Sequence, residues 1–81
     1  MKIRAHLYAQ LRDAANASYL DVDLPEHSNV SALLETIYEL KPALRRFDKT
    51  ILVGAGVEFV DRNYRLKPGD EIAIMPPVQG G

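Results

Sequence analysis

The residues best placed to do chemistry are the last six, Pro76-Pro77-Val78-Gln79-Gly80-Gly81. Gly80 and Gly81 carry no Cβ, so they can thread a channel too narrow for any other residue. Pro76-Pro77 favours an extended exit from whatever precedes it. A chain ending there offers its α-carboxylate at the tip of a thin probe. A carboxylate is a poor acyl donor, but adenylation makes it a good one, and a sulfur or amine nucleophile then displaces AMP. The sequence has no G-x-x-x-x-G-K segment to cradle phosphates, so the ATP chemistry is expected in trans. It also has no cysteine, which excludes a thiol nucleophile, an iron–sulfur cluster, a disulfide framework and a side-chain persulfide. Any sulfur would therefore sit on Gly81 as a thiocarboxylate. The competing reading is an inert, frayed chain end.

Other residue constellations are weaker. Gly54-Ala55-Gly56 lacks the third glycine of a nucleotide loop, since position 59 is Phe, and it lies between two strands rather than between a strand and a helix. It reads as a tight turn. Asp21 and Asp23 share one strand face but read as solvated residues. His6 has no nucleophile or partner near it in sequence and reads as an ordinary surface histidine. With only His6 and His27 and no cysteine, a metal site is not expected, nor is a bound cofactor. Ten basic and eleven acidic residues give a net charge of −1, which offers no electrostatic footprint for nucleic acid or an anionic membrane. The first residues, Met1-Lys2-Ile3-Arg4-Ala5-His6, interrupt their apolar members with charge, unlike a signal peptide, and no apolar run is long enough to span a bilayer. Cytoplasmic residence is the expectation. Eighty-one residues make one domain, and a carrier, subunit or binding module is favoured over a free-standing enzyme.

The elements that must position the tail follow from periodicity. Residues 2–8 alternate, with Ile3, Ala5 and Leu7 on one face and Lys2, Arg4, His6 and Tyr8 on the other. Residues 9–18 read as a connection with a helical turn around Leu11. Residues 19–24 alternate again until Pro25. Val30, Leu33, Leu34 and Ile37 take the i, i+3, i+4, i+7 spacing of one helix face, with Asn29 as N-cap and an end near Leu40 before Pro42. Residues 51–53 and 57–60 are short strands around the Gly54-Ala55-Gly56 turn. Lys67-Pro68-Gly69-Asp70 is a further turn, and Ile72 and Ile74 mark a last strand. The order strand, strand, helix, then two or three strands predicts an α+β fold: a β-grasp roll of four to five strands with one main helix on one face. Residues 1–75 form the domain and 76–81 the extended tail.

Four stretches together resemble the small, sulfur-carrying subunit of molybdopterin synthase: Tyr8-Ala9-Gln10-Leu11-Arg12-Asp13, Asn29-Val30-Ser31-Ala32-Leu33, Leu66-Lys67-Pro68-Gly69-Asp70-Glu71 and the Pro-Pro-Val-Gln-Gly-Gly ending. The resemblance covers essentially the whole chain. It implies a ubiquitin-like β-grasp fold and a cycle in which an activating enzyme similar to the ubiquitin-activating family adenylates Gly81 with ATP. A sulfur donor then makes the thiocarboxylate. The large synthase subunit, in a heterotetramer, uses that sulfur to build the dithiolene of molybdopterin from a pyranopterin precursor. Carried over residue by residue, Gly81 bears the sulfur, Gly80 fits the channel, and Tyr8, Phe59, Met75, Pro76, Pro77, Val78 and Gln79 face the partner.

The periodicity independently places Tyr8 and Met75 opposite the inward sets, so both are expected to be exposed, and to form one patch if the first and last strands are neighbours. For Phe59 it equally allows a place capping the edge of the core. The chain departs from the family pattern at Asp13, where Glu is usual, at Asn16, often Gly, and at Gly54-Ala55-Gly56, where the hairpin usually carries Asn. The remaining alternatives are a protein modifier joined through Gly81 to lysines, a sulfur carrier for thiamine or tRNA thiolation, and a binding module with an inert tail.

Overall fold

Residues 1–77 are described by a computed structural model of the chain. The elements run β1 (Lys2–Leu7), α1 (Gln10–Ala15), β2 (Tyr19–Asp23), α2 (Val30–Leu40), a 3₁₀ helix (Pro42–Phe47), β3 (Leu52–Ala55), β4 (Glu58–Val60) and β5 (Glu71–Met75). The sheet order is β2-β1-β5-β3-β4. The β1–β5 pair is parallel and the other pairs are antiparallel. This is the α+β β-grasp roll that the order of elements predicts, with the first and last strands side by side at its centre.

Alternation in the strands decides the layers. Ile3, Ala5 and Leu7 from β1, Val22 from β2, Val53 from β3, and Ile72 and Ile74 from β5 turn to one face. There they meet Val30, Leu33, Leu34 and Ile37 of α2, all essentially inaccessible to solvent. Burial of these aliphatic side chains is the dominant stabilising term. The cap of α2 is as expected: the Asn29 side-chain oxygen accepts the Ala32 N–H at 3.0 Å.

Residues 9–18 are more than a connection. Leu11 and Ala15 are buried, four residues apart, and their contact with the core makes α1 a helix despite its short length. It ends at Asn16, which is left-handed at φ 54°. Asparagine tolerates that region better than most residues, which suits it to end the helix.

The second hairpin corrects the expected turn. Gly54 and Ala55 belong to β3, paired with Phe59 and Glu58, and the chain turns at Gly56-Val57. Only Gly56 has positive φ, 63°. The turn at Pro68-Gly69 is as expected, with Gly69 at φ 83°. Its geometry is tied to β1, since the Gly69 N–H donates to Lys2 O at 3.1 Å and the Arg4 N–H to Asp70 O at 3.2 Å. These bonds start β5 in register beside β1.

Candidate functional site: the open face of the sheet

The helices cover one face of the sheet. The other face is built by the outward residues, and strand register states which of them are neighbours. One row crosses all five strands: Tyr19 opposite His6, His6 opposite Ala73, Ala73 opposite Gly54 and Gly54 opposite Phe59. A second row places Met75 opposite Leu52. Tyr8 extends that row, because its N–H donates to Ile74 O at 3.3 Å just past the Leu7–Ile74 pair.

The face has two halves. On the β1–β2 side, Arg4 forms a two-point ion pair with Asp21, Nε to Oδ1 at 2.8 Å and Nη2 to Oδ2 at 2.9 Å. Its guanidinium also lies 4.2 Å from the Tyr19 ring centroid. The hydrogen bond from Arg4 holds the Asp21 carboxyl below its usual range. Asp21 is therefore paired, not merely solvated. His6 Nε2 lies 2.6 Å from Glu71 Oε1, so this histidine has a carboxylate partner 65 residues away in sequence. Arg4 with Asp21 and His6 with Glu71 are thus paired within this half.

The β3–β4 side is apolar. Phe59 is 69% exposed, so it does not cap the core edge, and Val57 at the hairpin tip is fully exposed. Tyr8 is 47% exposed. Met75 lies on the same face but is only half-buried rather than freely exposed, because it lies over Gly54. Gly54, Val57, Phe59, Ala73 and Met75 line one shallow depression, together with Gly56 and the charged Glu58. An apolar cluster of this kind on an otherwise charged surface is what a protein partner covers. Pro76 and Pro77 follow Met75 directly, half-buried and in neither helix nor strand. The remaining expected site residues, Val78, Gln79, Gly80 and Gly81, lie outside the described residues.

One cluster was not anticipated from the sequence. The Tyr38 hydroxyl donates to Asp48 Oδ1 at 2.6 Å, and Arg62 donates to the same oxygen at 2.7 Å and to the Asp48 carbonyl. It joins α2, the end of the 3₁₀ helix and the turn that follows β4. The hydrogen bonds from Tyr38 and then Arg62 lower the Asp48 pKa, while burial raises that of Tyr38. No local motif announces it, since its members are 10 and 14 residues apart. Among the described residues no group of three or more His, Cys, Asp or Glu is close enough to hold a metal ion, and no helix is long and apolar enough to cross a membrane.

A five-stranded roll with one main covering helix and an apolar patch beside the exit of its last strand defines a ubiquitin-like β-grasp protein. The chain belongs to the ThiS family, which it matches over residues 5–81. It is 32% identical over 83 residues to the molybdopterin synthase sulfur carrier subunit of Chlamydomonas reinhardtii, with all of both chains covered. The crystal structure of SAMP1, small archaeal modifier protein 1, of Haloferax volcanii superposes with a TM-score of 0.89 at 28% identity, again over all of both chains. A chain in the complex of subunits 1 and 2 of the molybdopterin-converting factor of Helicobacter pylori shares the fold at a TM-score of 0.71 and 21% identity, over the full length of both.

Proposed function

We propose that this protein is the sulfur carrier subunit of a molybdopterin synthase. The observation that carries the reading is the continuity of the apolar half-face with the strand exit: Met75 belongs to the patch, and the next residue, Pro76, starts the segment that ends in Gly80-Gly81. Similarity to a molybdopterin synthase sulfur carrier along its full length supports it.

In this reading an adenylating enzyme joins the Gly81 carboxylate to the α-phosphate of ATP, with release of pyrophosphate. A sulfur donor then displaces AMP and leaves a thiocarboxylate. Tyr8, Phe59 and Met75 dock the large synthase subunit, in the assembly type that the Helicobacter pylori complex is named for. Pro76, Pro77, Val78 and Gln79 lead Gly80 and Gly81 toward the pyranopterin precursor, which takes up the sulfur in forming its dithiolene. Water then restores the carboxylate. The chain supplies the terminal carbonyl carbon and a docking surface; ATP is used by its partner.

The test is reconstitution. The chain carrying a thiocarboxylate at Gly81 is mixed with a large subunit and the pyranopterin precursor. Dithiolene product with return of the tail to a carboxylate is expected. A thiocarboxylate that survives with a competent large subunit sinks the reading. The likeness to SAMP1 favours a second reading, attachment of Gly81 to lysines of other proteins. It predicts covalent ladders in cells that vanish when Gly81 is removed.

A further inference from the structure

Gly54 is a buried glycine inside β3, and backbone freedom does not explain it, because positive φ occurs among the described glycines only at Gly56 and Gly69. A glycine within a strand weakens it, through backbone entropy and the absence of a side chain to pack. The space above it does explain it. A Cβ added there would stand 3.3 Å from Met75 Cε, 3.6 Å from Glu58 O and 3.8 Å from Ala73 Cβ. Met75 is paired in register with Leu52, so its thioether reaches diagonally across β3 into the place a side chain at 54 would take. On the far side of Gly54, in the same row, stands Phe59.

We infer that Gly54 is a positioning residue for partner docking: by leaving the floor of the sheet bare, it lets Met75 lie flat toward Phe59 and so sets the level of the apolar face that meets the large synthase subunit. This rests on the sulfur-carrier reading for the identity of the partner. A Cβ at 54 meets the flexible end of a methionine, not backbone, at its shortest contact. The methionine yields, and the cost falls on the shape of the surface rather than on the fold.

The experiment measures binding of the full chain to the large subunit by titration calorimetry for wild type, Gly54→Ala, Met75→Ala and the double variant. Gly54→Ala is expected to weaken binding by about three- to tenfold. Its unfolding midpoint is expected to be equal or higher, since alanine has less backbone entropy to lose. In the Met75→Ala background the same substitution is expected to change affinity by less than about twofold, because the coupling runs through Met75. The Met75 Cε methyl resonance of the free chain is expected to shift in Gly54→Ala. Unchanged affinity in Gly54→Ala overturns the inference, as does an equal loss with and without Met75, or an unmoved methyl resonance. The wild-type arm separates the two readings. A wild-type chain that does not bind the large subunit overturns the partner itself, whereas wild-type binding with an indifferent Gly54→Ala overturns only the role of Gly54.

Discussion

The Tyr8 N–H donates to the Ile74 carbonyl across 3.3 Å, one residue beyond the last β1–β5 pair. That bond carries the parallel pairing to the end of both strands and sets Tyr8 in line with Met75, where the chain leaves the sheet. The Tyr8–Met75 edge of the open face and the point where the chain leaves the sheet are thereby one structural unit.

Phe59→Ala is expected to separate binding from folding. The ring is 69% exposed, so its loss should change unfolding free energy by less than about 0.5 kcal/mol. If it anchors the large subunit, affinity should fall by about tenfold or more. Tyr8→Ala should behave alike. Urea denaturation beside titration calorimetry checks both, and a large loss of stability with unchanged affinity would contradict the assignment.

Ala9→Gly is expected to stabilise the fold. Ala9 sits at φ 52°, ψ −129°, between Tyr8 and α1, in a region that disfavours any residue with a Cβ. Relief of that strain should raise stability by about 1 kcal/mol, net of the added backbone entropy. Gly56→Ala, at φ 63° with open space around it, should do the reverse by about 1 kcal/mol. Equilibrium unfolding of the two variants gives opposite signs if the backbone is as described.

Asp48→Asn is expected to destabilise by about 1 kcal/mol or less at neutral pH, because it weakens the bonds from Tyr38 and Arg62 while solvent screens the partly exposed charges. The same bonds hold the Asp48 pKa below its ordinary value. A depressed folded-state pKa contributes stability that is present above the unfolded-state pKa and is lost as pH falls through the folded one. Wild type should therefore lose stability below about pH 4, and the gap between wild type and Asp48→Asn should narrow there. Unfolding midpoints at pH 7 and pH 3 test the sign.

Removal of Gly81 is expected to abolish dithiolene formation in the reconstituted system, since no cysteine elsewhere in the chain can hold the sulfur in its place. Full product yield from the shortened chain would show that the sulfur need not be carried at Gly81.

The sequence by itself determined what depends on neighbours in the chain. Period-two alternation marked the inward faces of β1 and β2, the 3.6 period with Asn29 marked α2, and Pro68-Gly69 marked a turn, because these patterns follow from local backbone geometry. The diglycine ending and the lack of cysteine pointed to the chemistry without any fold. Tertiary structure alone decided which faces meet. It made a helix of Gln10–Ala15 through burial of Leu11 and Ala15, moved the hairpin turn to Gly56-Val57, and gave His6 a partner in Glu71. It also set Phe59 in the open row opposite Gly54 and laid Met75 over that glycine. Periodicity tells which side of a strand a residue occupies. Only the register between strands far apart in sequence tells what stands beside it, and that register is chosen by packing of the whole core.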